Sequence, residues 1–281
     1  MGDGIIFGQR GQGLLTGGRG MIFGRRGAVD PLVAAYDAIL ATDPAVPVLF
    51  QLTEYRGQQV LWQDPACTVP VEDIGDPIGG VRHPETGEIL AVQTTDASRP
   101  VWGGREVGAE FDGESDGLIS KDSTGFLPET GDFFVLVDPD FDQFNDQDQL
   151  ISQNEAFSTG RIQALRFRRP PNALSTFWSE LETSPEVEFP DDPQDDDWYV
   201  AFSRTNIGGG EDEITLHLYD QHGDEVGTDS TTTSSDSVIL QTNTGIAFRT
   251  DANDRHFGGF ITSVIVGNDP SRLNEVVEVL A

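Results

Sequence analysis

The chain contains very little cysteine and very little lysine. Cys67 is the one cysteine among 281 residues, so neither an intrachain disulfide nor a cluster of thiolate metal ligands can form within one chain. The fold must therefore rest on packing. Lys121 is the one lysine, beside sixteen arginines and 48 acidic residues. No apolar run approaches the length that a membrane-spanning helix needs, so no membrane insertion is expected.

The charge balance is strongly acidic, with a formal net charge of −31 at pH 7. Such a surface repels nucleic acid and anionic membranes, so neither is expected as a partner. An excess of carboxylates with almost no lysine is typical of proteins from saline surroundings, which is the interpretation we favour for this acidic, halophilic-looking surface. Lysine depletion in a GC-rich genome is the alternative. The start, MGDGIIFGQRGQG, lacks the pattern of a secretory signal, so we expect synthesis and folding in a cytoplasm.

The N-terminal segment contains three copies of a Gly-rich octet: GIIFGQRG at 4–11, GLLTGGRG at 13–20 and GMIFGRRG at 20–27. Residues 1–29 hold ten glycines and four arginines against one acid, so this arm is positive while the remainder is negative. Its apolar residues need burial and its arginines need anionic partners, which a lone short arm does not supply. We therefore expect anchoring and oligomerisation through Ile5, Ile6, Phe7, Arg10, Leu14, Leu15, Arg19, Met21, Ile22, Phe23, Arg25 and Arg26. A disordered arm and a nucleic-acid-binding arm are the alternatives.

A helix is predicted over 30–42, because Asp30 suits an N-cap and Pro31 suits the first helical position. Beyond Pro44 the pattern changes to short strands at 133–137, 198–203, 213–219, 237–240, 245–248 and 259–266. Many short strands without alternating helices predict an antiparallel sandwich. The acidic runs 138–149 and 182–197 are predicted to be surface loops. A closing helix is predicted near the C-terminus, with one apolar stripe formed by Leu273, Val276, Val277 and Leu280.

Four stretches carry a resemblance: LWQDPACTVPVEDIGDPIG (61–79), AVQTTDASRPVW (91–102), FDGESDGL (111–118) and HFGGFITSVIVGNDPSRLNEVVEVLA (256–281). Together they resemble a laminin-G-like, or concanavalin A-like, jelly roll of tailed-phage and prophage proteins. The chain departs from that family at HPETGEIL (83–90), where the family's usual Asn or His of a D-x-S-G-x-G-N/H turn is absent. The resemblance implies a mainly β antiparallel jelly roll over 49–281, preceded by the arm (1–29) and a helix with linker (30–48).

The same resemblance implies a structural protein of a tailed virus or phage-like particle, such as a spike, fibre or other accessory virion protein. In that interpretation the arm binds other virion proteins and forms a homo-oligomer, a trimer or pentamer, during assembly in the host cytoplasm. The outward jelly roll then makes weak multivalent contacts with host-surface polysaccharide. A glycan-degrading hydrolase, a purely stabilising decoration protein and a cellular lectin-like module are the alternatives, since a fold does not determine a function.

The strongest enzymatic pattern is EFDGE, with Glu110, Asp112 and Glu114, which resembles the E-x-D-x-E pattern of laminarinase-type glucanases. Strand periodicity would place all three carboxylates on one face, as a retaining glycosidase requires of its catalytic pair. The same letters also form an ordinary strand-to-turn junction in the jelly-roll family, and Gly113 weakens the strand there. We therefore expect no catalysis. A glycoside hydrolase that uses these three carboxylates is the alternative.

The remaining candidates concern calcium and sugar. Asp138, Asp140, Asp142 and Asp146 offer oxygens at alternate positions, but the run lacks the Gly and Glu of an EF-hand, so a solvated acidic loop is favoured. No cofactor is expected, with calcium the possible exception. Tyr199 and Tyr219 are the candidates for glycan contact on the outward strand face. The four histidines are scattered without metal-ligand spacing and no G-x-S-x-G motif is present, so no histidine is expected to be catalytic.

Overall fold

The computed structural model describes residues 29–281 apart from 124, 129–130, 142–147, 155–161, 170, 179–183, 195, 235–242 and 249–255. Helix α1 spans Pro31–Leu40 and α2 spans Leu273–Leu280, with 3-10 turns at Asp96–Ser98 and Pro270–Arg272. The strands, in chain order, are β1 Val46–Leu49, β2 Glu54–Tyr55, β3 Gln58–Gln59, β4 Leu61–Trp62, β5 Gly80–Arg82, β6 Ile89–Val92, β7 Val101–Gly104, β8 Gly108–Asp112, β9 Leu118–Ser120, β10 Phe133–Phe141, β11 Gln149–Asn154, β12 Ile162–Arg168, β13 Ala173–Trp178, β14 Glu186–Glu188, β15 Tyr199–Gly208, β16 Glu211–Tyr219, β17 Glu225–Ser234, β18 Thr244–Ile246 and β19 Gly258–Gly267.

The strands form an antiparallel β-sandwich, which confirms the predicted fold class. The first sheet has the order β17-β16-β15-β10-β19-β8-β7, and β1 also pairs with β19. The second sheet has the order β14-β13-β12-β11-β18-β9-β6-β5-β4, while β2 and β3 form a separate pair. At one side β14 approaches β17, because Gly227 leaves room for Val187: a Cβ at Gly227 would lie 2.5 Å from Val187 Cγ1.

The hydrophobic core lies between the inner faces of the two sheets. Along β16, Ile214, Leu216 and Leu218 are fully buried while the alternate residue His217 is only partly buried, as the period-2 pattern predicts. Edge-to-face aromatic rings fill the centre, where Phe141 lies 4.7 Å from Phe167 and 5.7 Å from Phe257 between ring centroids. Burial of such rings is the main stabilising contribution to a fold that has no disulfide.

Two segments predicted to be loops contain strand residues. Strand β10 continues to Phe141, whose ring is 4% exposed, so residues 138–141 belong to the first sheet. Strand β14 lies inside the acidic run 182–197, where Val187 is buried opposite Leu174. The prediction was wrong there because acids outnumber the single apolar residues that set the strand period. The predicted strand at 237–240 lies outside the described residues.

Helix α1 begins at its predicted cap, whereas α2 begins at Leu273, after a 3-10 turn that Asp269 caps. The Asp30 carboxylate accepts a hydrogen bond from the Leu32 amide at 3.1 Å, and Asp269 accepts one from the Ser271 amide at 3.0 Å. Helix α2 buries the apolar stripe Leu273, Val276 and Val277 over the outer face of the first sheet. In the part of the chain that the structure describes, neither helix has the length and apolar character that would cross a bilayer.

Candidate functional site

The carboxylates of the EFDGE stretch do not share one strand face. Glu110 and Asp112 are exposed on β8, but the strand ends at Asp112 and Glu114 lies in the following turn. The Asp112 Oδ1 atom accepts the amides of Glu114 (2.9 Å), Ser115 (2.8 Å) and Asp116 (2.9 Å). Partial burial raises the pKa of Asp112, but these backbone donors lower it, and the pKa lies below its usual value. The expected alignment is therefore wrong for Glu114, because Asp112 closes a turn.

Asp116 and His256 anchor this turn to the sandwich. Asp116 is 8% exposed, and burial, followed by the charge of Asp112, raises its pKa to about 6. The His256 Nδ1–H donates to the Asp116 carbonyl oxygen at 2.9 Å, and the imidazole stacks on Phe248 with 5.8 Å between centroids. Both residues are buried, so they hold the turn against the neighbouring strands instead of facing an open cleft.

The predicted calcium ligands divide between the sheet and the part of the chain that is not described. Asp138 and Asp140 lie two residues apart on β10, whereas Asp142 and Asp146 fall outside the described residues. Thr262 Oγ1 donates a hydrogen bond to Asp138. Burial raises the pKa of Asp138 to about 7, and the charges of Asp197 and Asp140 add to that rise. Among the described side chains, no group of three or more His, Cys, Asp or Glu residues is arranged to hold a metal ion.

The two predicted glycan-contact tyrosines are covered by the C-terminal helix. Tyr199 is 8% exposed and donates its hydroxyl to the Leu280 carbonyl at 2.9 Å. Tyr219 is 1% exposed and donates its hydroxyl to Asn274 Oδ1 at 2.8 Å. The outer face of β15 and β16 carries these rings, as the alternation indicated, but α2 covers that face at both tyrosines. Neither ring therefore presents a face on which a sugar can stack.

An open groove of about 740 Å³ lies between β1 of the first sheet, β6 of the second sheet and the segment that follows β9. This volume is in the range of small-ligand sites. Lys121 and Asp122 are exposed at the groove, and Ile89 and Leu90 are partly exposed beside them. The groove is lined by Ala45, Val46, Glu88, Ile89, Leu90, Lys121, Asp122, Ser123, Gly125 and Phe126.

The segment that carries Lys121 is held by hydrogen bonds of polar side chains. Ser120 Oγ donates to the Asp122 carbonyl at 2.8 Å, and Asn243 Nδ2 donates to the same carbonyl at 3.2 Å and to the Ser120 carbonyl at 3.0 Å. The Thr244 amide donates to Ser120 Oγ at 2.9 Å. Ser120 is 2% and Thr244 0% exposed, so the hydrogen bond between the Thr244 amide and Ser120 Oγ is protected from water. The backbone at Lys121 is thereby positioned before any ligand arrives.

The groove combines two kinds of contact. Lys121 supplies a cationic donor, Glu88 and Asp122 supply carboxylate acceptors, and Ile89 and Leu90 supply an apolar strip. A molecule that carries several hydroxyl groups on one side and C–H groups on the other matches this surface. Sequence reasoning missed the groove because its residues come from three distant segments. The one signal available was that Lys121 is the only lysine of an acidic chain.

The predicted anchoring residues from Ile5 to Arg26 lie outside the described residues. Val29 and Asp30 mark the point where the described chain begins. The Asp30 carboxylate accepts a hydrogen bond from Arg105 at 2.6 Å, which attaches the start of α1 to the β7–β8 turn. The assembly role of the octets therefore stays a prediction.

No protein-family model matches the sequence, and a comparison with curated proteins found no match. Solved structures do match the chain. An arabinofuranosidase complexed with arabinofuranosyl-alpha-1,2-xylobiose matches with a TM-score of 0.54 and 11% identity, over 88% of this chain and 64% of that chain. The sialidase CBM40 domain of Ruminococcus gnavus bound to α2,3-sialyllactose matches with a TM-score of 0.43 and 13% identity, over 54% of this chain and 84% of that chain. The enzymatically active domain of tailspike protein 2 from bacteriophage CBA120 matches with a TM-score of 0.42 and 9% identity, over 83% of this chain and 36% of that chain. At 11% identity the likeness to the arabinofuranosidase is one of fold.

Proposed function

We propose that this chain is a carbohydrate-binding β-sandwich displayed on the surface of a tailed virus or phage-like particle. The observation that carries the binding role is the groove at Lys121, which is open, preformed and lined by both charged and apolar groups. Sugars have hydroxyl groups for directional hydrogen bonds and C–H faces for apolar contact, so a bound sugar would contact both the charged and the apolar lining of the groove. The arabinofuranosidase with the same fold, which is complexed with an arabinofuranosyl oligosaccharide, is consistent with this ligand class.

The virion role rests on the sequence. The Gly/Arg octets form a positive arm on a negative body, which suits attachment to other particle proteins and to further copies of the chain. One shallow groove binds a sugar weakly, and repetition over an oligomer would convert weak binding into avidity. In this proposal the particle presents many grooves to host-surface polysaccharide.

The binding proposal is tested with the full chain on an array of neutral and acidic oligosaccharides, followed by titration of the best ligand. Lys121→Ala should weaken binding about 10-fold or more, because a hydrogen bond to a charged group is lost. Asp191→Asn, an exposed carboxylate remote from the groove, is the control and should leave affinity unchanged. Equal affinity of Lys121→Ala and wild type would place the ligand elsewhere, and no binding on the array would leave a purely stabilising decoration role.

The assembly proposal is tested by light scattering in high salt on the full chain and on a chain that starts at Asp30. We expect a trimer or pentamer for the full chain and a monomer for the shortened one. Two monomers would refute self-assembly through the octets. The same preparations test the hydrolase alternative, since reducing ends released from a bound polysaccharide and lost in Glu110→Gln would favour an enzyme.

A further inference from the structure

Three polar side chains on the outer face of the first sheet form a continuous hydrogen-bonded chain. Ser203 Oγ lies 3.1 Å from His217 Nε2, and His217 Nδ1 lies 2.7 Å from Glu225 Oε1. Because an ionised carboxylate only accepts hydrogen bonds, the proton of the neutral imidazole lies on Nδ1, and Nε2 accepts the Ser203 hydroxyl. A hydroxyl, a base and a carboxylate that orients the base are the components of serine acyl-transfer sites.

The strand register explains how residues from three strands meet. His217 pairs with Ala201 and Thr215 pairs with Ser203, so Ser203 and His217 are diagonal neighbours on one face. A bulge after Leu218 shifts β17, which brings Glu225 opposite Tyr219 and within reach of the imidazole. No spacing in the sequence reveals this arrangement, because it depends on pairing and on one bulge.

Packing fixes the imidazole further. The Tyr219 ring stacks on the His217 ring with 6.1 Å between centroids and 16° between planes, and Asn274 of α2 accepts the Tyr219 hydroxyl. Ser203 is 5% exposed, the His217 side chain is 17% exposed and the Glu225 side chain is 41% exposed. The chain therefore runs from a sheltered hydroxyl to a solvated carboxylate, and the 5% exposure of Ser203 restricts any acyl donor to a small one.

We propose that Ser203 is an activated nucleophile that accepts acyl groups from small esters, with His217 as general base and Glu225 as the positioning residue. Ser203 Oγ attacks the ester carbonyl carbon while His217 Nε2 takes the hydroxyl proton. The bond from that carbon to the alcohol oxygen breaks, and the alcohol leaves with the proton from His217. Water, deprotonated by His217, then attacks the acyl group, and the carboxylic acid leaves as Ser203 regains its proton. This activity is separate from the groove at Lys121.

The test uses the full chain with two probes, a fluorophosphonate and p-nitrophenyl acetate, and locates the adduct by peptide mass spectrometry. The fluorophosphonate forms a bond from Ser203 Oγ to phosphorus and releases fluoride. We expect an adduct at Ser203, no adduct in Ser203→Ala, and labelling about 10²- to 10⁴-fold slower in His217→Gln. Glu225→Gln should also slow labelling. Ser230→Ala is the control, since Ser230 lies on the same face but donates to Glu213 at 3.1 Å.

A purely structural role of the hydrogen bonds among Ser203, His217 and Glu225 predicts different results. In that case the variants lower the unfolding temperature while wild type gives no adduct at Ser203. Absence of the adduct in wild type overturns the proposal without any variant, and so does a labelling rate that is the same in His217→Gln as in wild type. Thermal unfolding of each variant separates loss of fold from loss of reactivity.

Discussion

Replacing Asp138 by asparagine should stabilise the fold, and the gain should grow with pH. Asp138 lies at the bulge where β10 pairs with β19, and Thr262 donates a hydrogen bond to its carboxyl group. Asparagine is isosteric and keeps an acceptor for that donor. The substitution therefore removes a charge with little change of shape, and only the electrostatic contribution of this position changes.

The expected magnitude follows from the difference between folded and unfolded pKa values. Burial, with the charges of Asp197 and Asp140, raises the pKa of Asp138 from 3.8 to about 7. Between those values the folded state binds more protons than the unfolded state, so wild-type stability falls as the pH rises through this window. At roughly 1.4 kcal/mol per pKa unit, the gain from Asp138→Asn should rise from about 2 kcal/mol at pH 5 to about 4 kcal/mol at pH 8.

The assay is urea unfolding of wild type and variant at pH 5 and pH 8. Asp140→Asn, an exposed carboxylate on the same strand, is the matched control and should show a much smaller dependence on pH. A stability difference that does not change with pH would refute the reasoning. Calcium is tested in the same series: if wild type, but not Asp138→Asn, is stabilised by added calcium, Asp138 is a ligand and its charged form predominates.

Two further substitutions test the packing. Asp212→Asn should cost about 3–5 kcal/mol in urea unfolding, because it removes a buried negative charge that lies 2.7 Å from Nε of buried Arg204; a wild-type midpoint would contradict this. Tyr219→Phe should cost about 1 kcal/mol through the lost hydrogen bond to Asn274, and it should leave glycan affinity unchanged because the ring is buried. Titration calorimetry with the best glycan checks the second point, and weaker binding would restore Tyr219 as a contact residue.

The parts of the fold that local patterns control were predictable. Alternation along 213–219 predicted the inward face of β16, and Asp30-Pro31 predicted the start of α1. Prediction was wrong where composition outweighed periodicity. Acid-rich residues 138–141 were predicted to be a loop, yet Phe141 inserts among the core rings and continues β10.

The candidate sites were less predictable, because a site depends on which distant residues meet. The EFDGE stretch suggested three aligned carboxylates, but the hydrogen bonds that Asp112 accepts end the strand before Glu114. Tyr199 and Tyr219 were placed on the correct face, but the sequence did not reveal that the C-terminal helix covers that face.

The amino-acid sequence by itself determined the class of this protein: short alternating strands without a disulfide or a metal cluster of thiolates, and an acidic surface with a positive, repeated arm. These properties follow from side-chain period, capping and composition, which act over a few residues. Only the tertiary structure decided that Lys121 lines a groove and that Ser203, His217 and Glu225 form one hydrogen-bonded chain. Both depend on how distant strands pair, and the hydrogen-bonded chain depends also on the bulge after Leu218. A register shift of one residue would turn its side chains to the opposite face.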